Sequence, residues 1–205
     1  MKPARYLALG DSYTIGEGLA AEERWPVSLA AALRRDGLAI DPPQIIATTG
    51  WTTDELDAGI DAAAPRGPFD LVSLLIGVND QYRGRDVTAY VHAFAALLGR
   101  ATGFAGGDPG RVFVLAIPDW GVTPFGMQSG RDVAAIGREL DAYNAAAQAI
   151  CAAQNVAFVD IAPLSRARGG EPGMLADDGL HPSAALHAEW ARLALPVARG
   201  LLSRA

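Results

Sequence analysis

The 205-residue sequence contains little cysteine, little histidine and few charged residues. Its one cysteine, Cys151, cannot form an internal disulfide, and a lone cysteine is more often a small buried hydrophobic residue than a nucleophile. Only 20% of the residues are charged, the net charge is -6, and the chain has no run of basic residues, which argues against a nucleic-acid partner. The sequence contains no cluster of Cys, His and Asp at the spacing of metal ligands, so it does not predict a metal site.

Long apolar runs are also missing. The longest stretch without charge, residues 142–159, is interrupted by Asn and Gln side chains and otherwise consists largely of alanine, so it does not predict a membrane-spanning helix. The first residues lack the apolar core and small-residue cleavage site of a secretory signal peptide. We therefore expect a cytoplasmic location without integral membrane association.

Half of the residues are hydrophobic, and the chain length suits one domain covering residues 1–205. Short apolar runs alternate with longer helical patterns, which is typical of an α/β fold with a parallel sheet between two helical layers. The sequence predicts five strands at residues 5–10, 44–48, 70–76, 111–117 and 156–160. Their continuous apolar character predicts strands buried on both faces.

The helical segments show apolar residues at steps of three and four. The predicted buried positions are Val87, Val91, Phe94 and Leu98 in one helix, Val133, Ile136, Leu140, Tyr143, Ala147 and Ile150 in a second, and Leu186, Trp190, Leu193 and Val197 in the last. Thr52 and Glu55 fit a capping box at the start of another helix, whereas Pro196 is expected to bend or end the last one.

Polar residues follow several predicted strands, at the edge of a parallel sheet where ligands bind. Ser12 follows the first strand, Gly50 the second and Asn79 the third, while a long irregular stretch after the fifth contains Asp178 and His181. These are the groups that acyl transfer requires. Ser12 would be the nucleophile, His181 its base and Asp178 the residue that orients the base. The amide of Ser12, that of Gly50 and the side chain of Asn79 are candidate donors to an oxyanion.

Four short blocks carry a family resemblance: Gly10-Asp11-Ser12-Tyr13, Gly50, Gly77-Val78-Asn79-Asp80 and Asp178-Gly179-Leu180-His181. They resemble the signature blocks of the SGNH hydrolases, also called GDSL lipases and esterases, in the family's order. The resemblance implies a flavodoxin-like three-layer α/β/α fold with strand order 2-1-3-4-5 and a cofactor-independent hydrolase of small acyl esters. It assigns Ser12, Asp178 and His181 to catalysis and Ser12, Gly50 and Asn79 to the oxyanion hole. The one departure is Tyr13, where the family name has leucine. Family members include carboxylesterases, arylesterases, thioesterases, lysophospholipases and carbohydrate acetylesterases.

Other interpretations remain for the same residues. Taken singly, Ser12, Gly50 and Asn79 are ordinary cap or turn residues, and Asp177 competes with Asp178 for the histidine. A non-catalytic module that binds esters or glycans on the same fold is one alternative. Residues 16–21 formally match a dinucleotide-binding fingerprint, but they begin six residues after Gly10 instead of in the turn after the strand, so an oxidoreductase is a weak alternative.

Further residues receive roles of less weight. Asp11 and Asp80 are expected to hold their loops by hydrogen bonds, and the other two histidines, His92 and His187, to lie at surface or boundary positions. Four apolar side chains, Trp51, Trp120, Phe125 and Met127, are candidates for the lining of an acyl or aryl pocket. Packing of their loops onto the domain is an equal alternative.

Overall fold

The computed structural model describes residues 2–203 and is built on a five-stranded parallel sheet in the order β2-β1-β3-β4-β5. The strands are β1 (Tyr6–Gly10), β2 (Gln44–Ala47), β3 (Leu71–Leu75), β4 (Val112–Leu115) and β5 (Ala157–Val159). β1, β3 and β4 are buried along their whole length. Strand number, direction and the order 2-1-3-4-5 are therefore confirmed.

Helices surround the sheet. They are α1 (Ser12–Ile15), α2 (Trp25–Arg35), α3 (Thr53–Ala63), α4 (Val78–Tyr82), α5 (Val87–Phe104), α6 (Pro124–Gln128), α7 (Val133–Ala153), α8 (Ala162–Arg168) and α9 (Ala184–Leu202). From β1 the chain first moves to β2 on one side, and it then crosses back to β3, β4 and β5 on the other side. Because crossovers between parallel strands are right-handed, α2 lies on one face of the sheet, and α3, α5 and α7 lie on the other. α9 packs against α2 and across β3, β4 and β5, which completes the first helical layer.

Most predicted helical faces are buried, but three positions differ from expectation. Val133, the first residue of α7, is 43% exposed, and Leu193 in α9 is 38% exposed. His187 is instead fully buried, where its Nδ1 accepts a hydrogen bond of 2.9 Å from the backbone N–H of Trp25 at the start of α2. Burial lowers the pKa of His187 to about 3, so the imidazole stays neutral and can accept this bond.

The last helix and the stretch after β5 differ in part from expectation. Pro196 lies inside α9 and does not end it, since the helix continues to Leu202. The stretch after β5 is not wholly irregular, because α8 forms within it before the chain enters the loop that carries Asp178 and His181. Within residues 2–203, none of the helices combines the length and apolarity needed to cross a bilayer.

Candidate active site

Ser12 is the first residue of α1 and follows β1 after a turn at Asp11. The turn depends on Gly10, since a Cβ at that position would lie 2.2 Å from Thr14 Oγ1 and 2.5 Å from the carbonyl oxygen of Leu75. Asp11 Oδ1 accepts a 3.0 Å hydrogen bond from the backbone N–H of Tyr13 and so caps the helix. Ser12 is consequently held at the carboxyl edge of the sheet, largely buried.

Asp178 and His181 form a hydrogen-bonded pair in the loop before α9. Asp178 Oδ2 lies 2.6 Å from His181 Nδ1, and Asp178 Oδ1 accepts from the backbone N–H groups of Leu180 and His181, each at 2.9 Å. Burial raises the pKa of Asp178, but these hydrogen bonds outweigh it, so the pKa lies below its ordinary value. Asp178, rather than Asp177, is therefore the ionised carboxylate that contacts the imidazole.

The His181 ring also contacts Tyr13, the residue after the serine. The two rings meet edge to face with centroids 5.9 Å apart, and the Tyr13 ring makes a similar contact with Trp190 of α9. The imidazole is thus held by a carboxylate on one nitrogen and by an aromatic ring on its side.

Gly50 lies in the loop after β2, and Asn79 lies in the first turn of α4, which follows β3. Gly50 has φ +85°, a left-handed conformation that glycine adopts without strain, and nothing lies within 4 Å of where its Cβ would be. Asn79 of α4 donates from Nδ2 to the carbonyl oxygen of Trp51 at 2.9 Å. That bond uses one of its two amide hydrogens and leaves the other for a second acceptor.

Asp80 holds these loops together. It is buried, and its two oxygens accept from the Thr53 backbone N–H at 3.0 Å and the Thr53 hydroxyl at 2.7 Å, while Arg85 pairs with it at 3.0 Å. Asp11 caps α1 as described above. The prediction that Asp11 and Asp80 hold their loops is confirmed.

One cavity of about 220 Å³ brings most of the predicted groups together. Its lining consists of Ser12, Tyr13, Thr49, Gly50, Val78, Asn79, Tyr82, Trp120, Phe125, Leu180 and His181. Asp178 lies behind His181. Ser12 and His181 both line this cavity, and their side chains are not hydrogen-bonded to each other.

The four predicted pocket residues divide into two pairs. Trp120 and Phe125 line the cavity, whereas Trp51 and Met127 do not. The Trp51 ring lies instead over Gly59 of α3, so close that a Cβ there would be 2.2 Å from the ring. Met127 is on the outer side of the short helix α6 and is 66% exposed. The expectation that Trp51 and Met127 line the pocket was therefore wrong.

Sequence reasoning also missed residues that shape the cavity. Tyr82 lies three positions after Asn79 on α4, a helix that was not predicted because it has only five residues. Gln81 on the same helix is buried and accepts a 2.8 Å hydrogen bond from Trp120 Nε1, while its own amide donates to Glu139 at 2.6 Å. Helical spacing around Asn79 would have indicated Tyr82, but only the tertiary structure shows that Gln81 fixes the Trp120 indole.

Among the residues that the structure describes, no three or more His, Cys, Asp or Glu side chains are grouped so as to hold a metal ion. Cys151 is buried, as predicted, and burial raises the pKa of its thiol to about 12.

The sequence profile of the GDSL-like lipase/acylhydrolase family matches residues 8–189, and the chain belongs to this family. No curated protein is similar enough to count as a match.

Solved structures share the fold. The crystal structure of TesA is 23% identical, with 96% of this chain and 99% of that chain covered and a TM-score of 0.76. Axe2, an acetylxylan esterase from Geobacillus stearothermophilus, is 20% identical over 96% and 94% of the two chains, with a TM-score of 0.72. A lipase/acylhydrolase from Enterococcus faecalis is 21% identical over 98% and 96%, with a TM-score of 0.70.

Proposed function

We propose that this protein is a serine hydrolase that cleaves carboxylic esters through an acyl-enzyme. One observation carries the proposal: a single cavity is lined by four residues from separate segments of the chain, Ser12, Gly50, Asn79 and His181. Unrelated turn and cap residues have no physical reason to converge in this way. Membership of a lipase/acylhydrolase family supports the same chemistry.

In the proposed mechanism, Ser12 Oγ attacks the acyl carbon while His181 Nε2 accepts the hydroxyl proton. Asp178 accepts a hydrogen bond from Nδ1–H, which leaves Nε2 free as the base and stabilises the imidazolium that forms. His181 then donates the proton to the alcohol oxygen as the carbon–oxygen bond breaks. A water molecule attacks the acyl-enzyme with His181 again as base, which releases the acid and restores Ser12.

The negative oxygen of the tetrahedral intermediate needs donors already in place. The backbone N–H groups of Ser12 and Gly50 have no hydrogen-bond partner within residues 2–203, and Asn79 Nδ2 keeps one free hydrogen. All three residues line the cavity. We assign them to the oxyanion hole for that reason.

The cavity lining favours an uncharged, apolar acyl or aryl group. Apart from the reacting groups, its walls are mainly Val78, Tyr82, Trp120, Phe125 and Leu180, and no Asp, Glu, Lys or Arg is among the described lining residues. A charged acyl group would lose hydration there without gaining a partner. The similar fold of an acetylxylan esterase makes acetylated sugars a further class to test.

The test measures hydrolysis of p-nitrophenyl acetate, butyrate and octanoate beside acyl-CoA and acetylated xylo-oligosaccharides, with Ser12→Ala as the blank. A fluorophosphonate should label the protein once, at Ser12. Ser129→Ala is the matched control, because Ser129 lies near Phe125 but its hydroxyl donates to the Gly126 carbonyl. Turnover that survives Ser12→Ala would refute the proposal, and ligand binding without turnover would favour the non-catalytic module.

A further inference from the structure

Arg83 connects the end of α4, the helix that carries Asn79, to the loop that carries Gly50. It follows directly after α4, and its Nη2 donates to the carbonyl oxygen of Gly50 at 2.7 Å. The same guanidinium forms a two-pronged pair with Glu55 of α3, at 3.2 Å from Nη1 and 3.1 Å from Nη2. The mechanism proposed above gives Arg83 no part.

Gly50 has no side-chain packing to restrain it, so its conformation depends on hydrogen bonds of the neighbouring backbone. Nothing lies within 4 Å of the position that a Cβ of Gly50 would occupy, so no neighbour packs against this residue. A glycine, here at φ +85°, also has wide conformational freedom. The next residue is held at both ends, by a 3.3 Å bond from the Trp51 N–H to Thr48 and by the Asn79 amide on the Trp51 carbonyl. Arg83 holds the peptide that lies between Gly50 and Trp51.

The pairing with Glu55 gives the guanidinium a fixed direction. Glu55 is itself fixed, because its Oε2 accepts a 2.9 Å hydrogen bond from the backbone N–H of Thr52 at the start of α3. Two parallel bonds to a carboxylate set the plane of an arginine, and the remaining N–H then points in a defined direction. A lysine in the same place would supply one point charge and no fixed plane.

We propose that Arg83 is a positioning residue for catalysis: by holding the Gly50 carbonyl it restricts the φ and ψ angles of Gly50, so that the Gly50 N–H, which belongs to the preceding peptide, faces the oxygen of the reacting carbonyl. This inference rests on the proposed function, in which Gly50 is an oxyanion donor. Arg83 is absent from the cavity lining and acts through Gly50. Its effect is therefore expected on the transition state and not on substrate binding.

The ion pair itself contributes little to stability, which makes the proposal testable. The side chains of Arg83 and Glu55 are 46% and 40% exposed, and exposed pairs stabilise proteins weakly. A purely structural role would change neither kcat nor the melting temperature by much. A positioning role would lower kcat while the melting temperature stays almost constant.

The experiment compares Arg83→Met and Arg83→Lys with Arg100→Met. Arg100 is a close match, since it also bonds carboxylates of α3, Asp57 and Asp61, and a backbone carbonyl, but that carbonyl belongs to Asp57, which unlike Gly50 does not line the cavity. Loss of a whole oxyanion donor lowers kcat by roughly 10²–10³, so a misplaced donor should lower it by about 10-fold in Arg83→Met, with KM changed less than about 2-fold. Arg83→Lys should recover only a minor part, and Arg100→Met should keep wild-type kcat.

Two further measurements separate the possible causes. The rate of Ser12 labelling by a fluorophosphonate, whose phosphoryl oxygen gains negative charge in the same hole as Ser12 attacks, should fall in parallel with kcat. In a Gly50→Ala background, Arg83→Met should cost much less than in the wild type, because both changes act on one donor. An unchanged kcat in Arg83→Met, or an equal loss in Arg100→Met, would overturn the inference. Activity that survives Ser12→Ala would instead overturn the proposed function, and that variant is measured separately.

Discussion

Replacing Asn79 with alanine separates a structural role of its side chain from a catalytic one. The Nδ2 group donates to the Trp51 carbonyl at 2.9 Å, and Asn79 also lines the cavity beside Ser12. If the amide serves only the Trp51 carbonyl, its removal costs one hydrogen bond and affects folding. If it also binds the oxyanion, its removal raises the barrier of the chemical step.

The two roles predict effects of different size. A hydrogen bond of this kind contributes about 0.5–1.5 kcal/mol to the free energy of unfolding, which is a change of a few degrees in melting temperature. In subtilisin, removal of one oxyanion donor raises the free-energy barrier of the reaction by about 2.7–4 kcal/mol, which lowers kcat by roughly 10²–10³. We expect the larger, catalytic effect together with the small loss of stability.

Steady-state kinetics on a p-nitrophenyl ester and thermal unfolding of the same preparations measure both quantities. Asn144→Ala is the control, because the Asn144 amide also donates to a backbone carbonyl at 2.9 Å and accepts from the Ile117 N–H at 2.7 Å, and it is not among the cavity-lining residues. This control should lose at least as much stability and keep its kcat. A loss of kcat below about 3-fold in Asn79→Ala would refute the assignment, since that is far less than one oxyanion donor contributes.

Three other substitutions test the surroundings of the site. Burial raises the pKa of Asp11 to about 8. Between pH 3.8 and about pH 8, the Asp11 carboxyl is protonated in the folded state and ionised in the unfolded state. The free energy of unfolding of the wild type should therefore fall as pH rises through this range, by at most about 1.4 kcal/mol per pH unit. Asp11→Asn cannot titrate and should gain stability over wild type from pH 5 to pH 8; a constant difference in unfolding free energy would contradict the burial argument. Gly10→Ala forces a Cβ against the Leu75 carbonyl and should lower the free energy of unfolding by about 1–3 kcal/mol and also lower kcat. The control Gly99→Ala, at an exposed position with open space around it, should change neither, and equal melting temperatures of the two variants would disprove the close approach. Gln81→Leu leaves the buried Trp120 N–H unpaired and should cost about 1–3 kcal/mol, and Trp120→Phe in the same chain should restore part of it. Additive losses in the double variant would show that the two side chains are not coupled.

Much of the fold was predictable because a parallel sheet leaves a strong pattern in the sequence. Strands buried on both faces read as continuous apolar runs, and all five occur within two residues of the predicted ends. The helix start at Thr52 was also predictable, since the Glu55 carboxylate accepts from the Thr52 N–H at 2.9 Å. The Thr52 hydroxyl also lies within hydrogen-bonding distance of two carboxylates of this first turn, 2.6 Å from Asp54 Oδ1 and 3.0 Å from Glu55 Oε2.

The burial of Leu193 and His187 in α9 was predicted wrongly because the large apolar residues of a helix were expected to mark its buried face. Leu193 is exposed, whereas three alanines, Ala191, Ala194 and Ala198, are almost completely buried. Alanine carries little hydrophobic signal, but small side chains let α9 lie close to α2 and the sheet. His187 is buried on the same face, where it accepts a hydrogen bond from the Trp25 N–H, and this partner lies 162 positions away in the sequence.

The candidate site was predictable for a related reason and only in part. Residues that follow parallel strands must lie at one edge of the sheet, so Ser12, Gly50 and Asn79 were expected to be neighbours. Side-chain direction is set by tertiary contacts, which the sequence does not show. Trp51 therefore covers Gly59 on α3 instead of the cavity. Glu17 accepts a hydrogen bond from the Thr49 hydroxyl at the rim of the cavity, and no pattern in the sequence indicated that Glu17 lies near the site.

Charged groups in this site lie behind the cavity wall and not in it. Asp178 supports His181, Arg83 supports the Gly50 peptide, and Glu139 supports Trp120 through Gln81, while the described lining itself contains no Asp, Glu, Lys or Arg. A wall of this kind keeps the local dielectric low, which strengthens the field of fixed donors on a developing charge. The supporting charges remain partly solvated, so each costs little to maintain. Substitutions of these supporting residues should therefore change reaction rates more than they change folding stability.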